Sequence, residues 1–273
     1  MQLDKIIIAL RERNSWEAMD LGVKLMGVLW PVILFPWLII FSITLSLAVF
    51  VQYLSHSYLA LVLMWWTKPI YESMLLYILS RSVFGEYPTT SDVYSSAGSW
   101  LKTGLRTWLF FWRFSPSRSF NMPVHLLEGL KGHGRSKRLL SLHRVTSLNS
   151  ASVTIVGLLF EVVLAGTLLL SIFYIYPDVV GDYFRSGTGN SLAQQAADEF
   201  SWFILLTVVY GLTLFVLEPF YVAAGFMLYL NRRTQLEGWD IELDFRKLVQ
   251  RIEQQNSGHN AMHDSVIKSE GHG

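Results

Sequence analysis

Residues 25–51 contain no Asp, Glu, Lys or Arg, and that single run decides most of what the chain is able to fold into. About 20 apolar residues suffice for a helix to cross the hydrocarbon of a bilayer. Inside a membrane every backbone N–H and C=O must be paired within the protein, so such a run is a helix. Three more stretches read the same way, and spans are expected at about 25–53, 58–80, 148–176 and 200–230. The whole chain agrees, with 52% hydrophobic and 16% charged residues among 273, too apolar a balance for a soluble domain. Ten Trp, twelve Tyr and seventeen Phe supply two aromatic belts at the bilayer surfaces. The expected fold class is all-α: a polytopic membrane helical bundle of four transmembrane spans with cytoplasmic amphipathic helices. Residues 1–255 form one integral membrane domain, and the polar tail 256–273 is expected to be disordered.

Asn14-Ser15-Trp16-Glu17 reads as a helix start, a capping residue followed by a carboxylate three positions on. The helix from Ser15 is expected to lie at the surface before the first span turns in, with Pro31 and Pro36 bending it. Met1 to Arg13 mixes charges and offers no small-residue cleavage site, so no cleaved signal peptide is expected.

Orientation follows from the basic residues. Of 22 Lys and Arg, only Lys68 and Arg185 fall outside the N-terminus, the entrance of the first span, the 81–147 section and the C-terminus. The positive-inside rule then places both termini and residues 81–147 in the cytoplasm, with the acidic loop 177–199 outside. Within the 81–147 section, residues 92–114 show helical periodicity. Trp100, Trp108 and Trp112 share one side, while Arg106 and Arg113 share another. That is an interfacial amphipathic helix resting on the lipid bilayer. Pro123 suits the first turn of a short helix that Gly129, Gly132 and Gly134 end. Residues 131–144 are basic enough to meet anionic lipid headgroups, so lipid, not nucleic acid, is the expected partner. A further amphipathic helix is expected over 240–255, with Ile241, Phe245, Leu248 and Ile252 on one face.

The chemistry lies inside the spans. Counted inward from the cytoplasmic ends, Lys68, Glu161 and Glu218 sit at similar depth, about 18–20 Å along their helices at the helical rise per residue. Charges at that depth are costly unless paired, so the three are expected to face one another. Glu72 lies one turn from Lys68 and is expected to pair with it at i,i+4. Pro69 and Pro219 follow Lys68 and Glu218 directly and read as helix breaks that free backbone carbonyls in the same layer. Two uses are open for this layer of Lys68, Glu72, Glu161 and Glu218: a site for an ion, proton or polar headgroup, or a buried cluster that fixes helix register. Lys68-Pro69-Ile70-Tyr71 and Glu218-Pro219-Phe220-Tyr221 also echo each other, which suggests a parallel duplication about an axis along the membrane normal.

No catalytic constellation emerges. The absence of Cys excludes disulfides and thiolate chemistry. His56, His125, His133 and His143 have no metal-ligand spacing, and His259, His263 and His272 belong to the polar tail. No Gly-x-Ser-x-Gly elbow or phosphate loop is present. No metal or cofactor is expected, and the chain does not read as an enzyme.

Several tracts together resemble a family of uncharacterised bacterial inner-membrane proteins. They are Ser15-Trp16-Glu17-Ala18-Met19-Asp20-Leu21-Gly22, Lys68-Pro69-Ile70-Tyr71, Phe84-Gly85-Glu86-Tyr87-Pro88-Thr89, Pro116-Ser117-Arg118-Ser119-Phe120-Asn121-Met122-Pro123, Leu127-Glu128-Gly129 and the run 218–246. The resemblance covers about residues 14–250. The layout is more loosely similar to the membrane domain that accompanies some glycerophosphodiester phosphodiesterases, whose catalytic barrel this chain lacks. The first resemblance implies a multi-pass protein of the bacterial inner membrane, working beside MoxR-type ATPases in an envelope-associated complex. Function is therefore expected to be that of a non-enzymatic scaffold or accessory subunit. The alternative is a small transporter or lipid-handling protein that uses the buried Lys/Glu layer.

Overall fold

The computed structural model describes residues 11–55, 57–102, 114–177 and 192–238, with Phe245 and Val249. Among the described residues all regular structure is helical. The helices are α1 (Ser15–Ser55), α2 (Leu59–Val83), α3 (Thr90–Ser95), α4 (Ala97–Lys102), α5 (Arg118–Leu126), α6 (Gly132–Ile175) and α7 (Leu192–Glu237). Of the expected helix over 240–255 only Phe245 and Val249 are described, and residues 178–191 of the acidic loop expected over 177–199, with Arg106, Trp108, Trp112 and Arg113, lie outside the described residues; residues 192–199 of that loop are helical and open α7.

Among the described residues three helices are long and apolar enough to cross a membrane: α1, the Leu148–Ile175 part of α6 and the Trp202–Glu237 part of α7. Their apolar side chains stand exposed in rows, among them Val28, Phe35, Ile43 and Phe50 on α1 and Ile155, Leu158, Val162 and Leu170 on α6. So much contiguous apolar surface is compatible with lipid, not water. The stretch expected as a fourth span is α2. Its 25 residues reach about 37 Å at the helical rise, but Lys68, Glu72 and Arg81 dilute its apolarity. It is the inner helix of the bundle, buried continuously from Tyr71 to Ser80.

Cross-contacts give the directions. Along α1 and α7, Arg13 meets Asn231, Gly22 meets Ala223, and Trp37 meets Phe215, so the two run antiparallel. Tyr58 meets Phe203 and Lys68 meets Glu218, so α2 and α7 run parallel. Thr154 meets Tyr221 and Phe173 meets Trp202, so α6 opposes α7. The helix pairs α1–α2 and α6–α7 thus repeat one up-down arrangement.

Small residues set the spacing. A Cβ on Gly22 would lie 2.6 Å from the Ala223 carbonyl oxygen, so α1 and α7 approach backbone to backbone only because glycine stands there. Gly225 serves α5 in the same way, because a Cβ there would lie 2.3 Å from the Ser119 side chain. Above these contacts Trp37 is fully buried between Tyr71 at 5.2 Å and Phe215 at 6.0 Å between ring centres.

Several local expectations need correcting. Pro69 and Pro219 do not break their helices, since α2 and α7 run through them without interruption. Neighbouring helices supply partners for carbonyls that proline orphans. The 92–114 helix is already divided at Ser96, into α3 and α4. Thr89 and Asp92 close a reciprocal capping box, and the Ser95 and Ser99 hydroxyls donate to carbonyls three residues back at 3.1 and 2.7 Å. Serines competing for backbone groups break the run. Trp100 is only 3% exposed, and its indole donates to the Val93 carbonyl at 3.0 Å, so it faces protein. Gly132 and Gly134 do not end a short helix but begin α6, which carries the basic tract straight into the span. Pro123 sits inside α5, not at its start. The first helix likewise forms one piece from Ser15 to Ser55, with both prolines inside it.

Candidate functional site

Lys68 leaves α2 toward the space between α6 and α7. Its ammonium donates to Glu161 Oε1 and stands 3.1 Å from Glu218 Oε2. Side-chain exposures are 4% for Lys68, 1% for Glu218 and 17% for Glu161. The three residues expected to share a depth therefore meet. Charges removed from water this far need close partners, and breaking such a pair costs more than the pair contributes.

Glu72 departs from expectation. It does not pair with Lys68 on its own helix; it accepts two hydrogen bonds from Arg118, from Nε at 3.0 Å to Oε2 and from Nη2 to Oε1. A planar guanidinium fits a carboxylate with two parallel bonds, which an ammonium cannot match. Arg118 also reaches to 4.0 Å from Glu218 Oε1, and its guanidinium lies over the Tyr221 ring at 5.7 Å. The two couples are thereby joined into one layer of three carboxylates and two bases.

Sequence reading left Arg118 in the cytoplasmic section 81–147 and missed its role. Two signals pointed to it: it is the only charged residue between Arg113 and Glu128, and the acid excess of the layer called for another base. The element that delivers it is α5, whose residues from Arg118 to His125 are all buried. It wedges against α7 at Gly225 and presents Arg118 at its first turn. Behind it runs a polar chain. Ser117 Oγ lies 2.8 Å from Ser150 Oγ, and Ser150 Oγ lies 3.4 Å from His143 Nδ1. His143 Nε2 donates to Asn121 Oδ1 at 2.6 Å. Burial holds the His143 imidazole below its ordinary pKa.

A second polar knot closes the end where α7 finishes. Arg138 grips Glu128 at 2.9 Å and also pairs with Glu237; Arg233 holds Glu237 at 3.0 Å, and the Tyr229 hydroxyl donates to Glu128 Oε1 at 2.6 Å. Of the basic tract 131–144, Arg138 is thus committed inside the protein, while Lys131, Lys137 and Arg144 stand exposed.

The charged layer is reachable from the side. A crevice of about 390 Å³ runs between α1 and α6, floored by α7. Met19 and Val23 form one wall, Val156 and Phe160 the other, Leu217 and Tyr221 the floor, and Glu161 lines it. Gly157 makes room for the Tyr221 ring, which a Cβ there would meet at 3.0 Å. The Tyr221 hydroxyl is fixed to Thr154 Oγ1 at 3.0 Å. Among the described residues no group of His, Asp or Glu is arranged to hold a metal ion. Comparison with family models, with curated proteins and with solved structures finds no match to the chain.

Proposed function

We propose that the chain is a four-pass protein of the bacterial inner membrane, with both termini in the cytoplasm, that handles a lipid-like molecule through its charged layer. The observation that carries the reading is the crevice: an apolar cleft between two lipid-facing helices ends on Glu161, itself bonded to Lys68. An amphiphile in the bilayer has a path from acyl chains to buried charge without crossing water. Four passes are supported by the length of α2 and its direction parallel to α7. Exposed Lys131, Lys137 and Arg144 are available to anionic headgroups on the same cytoplasmic side.

A second reading, a non-enzymatic scaffold or accessory subunit of an envelope complex that includes a MoxR-type ATPase, is favoured by a different observation. The ion pairs bridge α2, α5, α6 and α7 and lock them together, as a register-fixing cluster would. Native mass spectrometry of the full chain released from mild detergent separates the two. Lipid handling predicts a retained lipid-sized molecule that Val156→Trp, which fills the crevice, removes. A chain that retains nothing, or retains the same molecule in Val156→Trp, is a scaffold by this test.

A further inference from the structure

The crevice has a chemical preference, and it rests on the reading above. Its walls carry two charged side chains, Asp20 and Glu161, and both are acids. Asp20 lies at the exposed rim and is matched by Lys24 at 2.8 Å. Glu161 lies inside. Its Oε1 accepts from Lys68, and among the described residues its second carboxylate oxygen has no partner. Lys68 is already shared with Glu218, and Arg118 is bonded to Glu72. Glu161 and Glu218 thus share one ammonium, with Arg118 4.0 Å from Glu218, and Glu161 is the one of the three carboxylates that opens to the crevice, 17% exposed against 1% for the other two. Aromatic side chains line the same crevice: Phe160, Phe220, Tyr221 and Trp16. A carboxylate that shares an apolar cleft with aromatic rings suits an organic ammonium, which charge and cation–π attraction can hold together. We infer that the crevice binds an amphiphilic cation, an alkylammonium whose charged head seats against Glu161 and whose chain lies along α1 and α6. The volume of about 390 Å³ falls within the usual range of small-molecule sites.

The experiment uses three photoreactive probes of equal chain length, an alkyltrimethylammonium, an alkyl alcohol and an alkyl sulfate, added to the full chain in phosphatidylcholine nanodiscs. Crosslinked peptides are mapped by mass spectrometry. The ammonium should label residues 16–23 and 152–161 about tenfold more than the alcohol, a preference of about 1.4 kcal/mol, and the sulfate should label less than either. Glu161→Gln should bring the ammonium down to the level of the alcohol while the alcohol is unchanged. Equal labelling by ammonium and alcohol in the unmodified chain overturns the charge preference and leaves the lipid-like reading standing. Absence of labelling there by all three overturns both. The comparison among probes needs no variant, so a Glu161→Gln chain that fails to assemble does not shelter the inference.

Discussion

The indole N–H of Trp37 donates to the carbonyl of Phe215 at 3.0 Å, four residues before Pro219. Proline has no N–H, so Phe215 loses the partner that an ordinary helix would provide. A side chain from α1 supplies it, and α7 continues through its proline. Trp37→Phe keeps an aromatic ring but removes the donor, and should cost about 1–3 kcal/mol, the penalty of an unsatisfied buried acceptor. In a Pro219→Ala background the helix regains its own N–H, so Trp37→Phe should cost distinctly less. Unfolding in mixed micelles gives both numbers. An equal cost in the two backgrounds would mean that the indole serves packing alone.

The approach of α5 to α7 makes a steric prediction. Gly225→Ala places a methyl 2.3 Å from the Ser119 side chain and 2.8 Å from its backbone carbon. One helix must shift, at a cost of about 1–3 kcal/mol for an overpacked contact. Ser119→Gly removes the side-chain part of that clash, so the double variant should recover some of the loss, read as the midpoint of thermal unfolding. A Gly225→Ala chain as stable as the parent would show that α5 does not seat there.

His143 gives a pH signature. Its folded-state pKa is lowered by burial, so the unfolded chain binds the proton more readily. Stability attached to this group is present above the unfolded value, about 6.5 for histidine, and is lost as pH falls through it toward the depressed folded value. Acidification from pH 7.5 to about 5.5 should therefore destabilise the parent more than His143→Gln. Parallel pH curves for the two chains would count against a buried neutral imidazole.

Topology is directly checkable because the chain has no Cys. With four passes and both termini inside, a cysteine at Ser191 reacts with an impermeant maleimide from the periplasmic side, and one at Ser257 only after the membrane is opened. A three-pass arrangement, with α2 failing to cross, would put the two termini on opposite sides, so a cysteine at Gln2 would react from the side opposite to the one at Ser257.

Depth along a helix is a one-dimensional quantity, so Lys68, Glu161 and Glu218 were matched by counting from the basic ends, and they do meet. Partner choice is three-dimensional. The i,i+4 rule offered Lys68 to Glu72, but a guanidinium from a distant segment offers two bonds instead of one. Arg118 stayed hidden because Ser115-Pro116 reads as a break, and nothing local says that the next helix turns inward against Gly225. The prolines were over-read for the same reason: the sequence reveals the missing N–H, while the indole that compensates for it is contributed by residue 37, far away in the chain.

The charged layer supplies the most demanding prediction. Lys68 stands 3.1 Å from Glu218 and is bonded to Glu161, while Arg118 holds Glu72 and approaches Glu218 to 4.0 Å. Lys68→Met strands two carboxylates at once and should cost on the order of 3–5 kcal/mol, the range for breaking a buried pair. Adding Glu218→Gln removes one stranded charge and should restore part of the loss, leaving Glu161 to find a proton or an outside cation. The same logic applies to Arg118→Met with and without Glu72→Gln. Arg118 also bridges toward Glu218, so the double variant Lys68→Met with Arg118→Met should be worse than the sum of its parts, because Glu218 then loses both neighbours. Equilibrium unfolding of the single and double variants forms three thermodynamic cycles. Strictly additive losses in all three would show that the five side chains do not act together, and that neither ligand binding nor register can be assigned to a common layer.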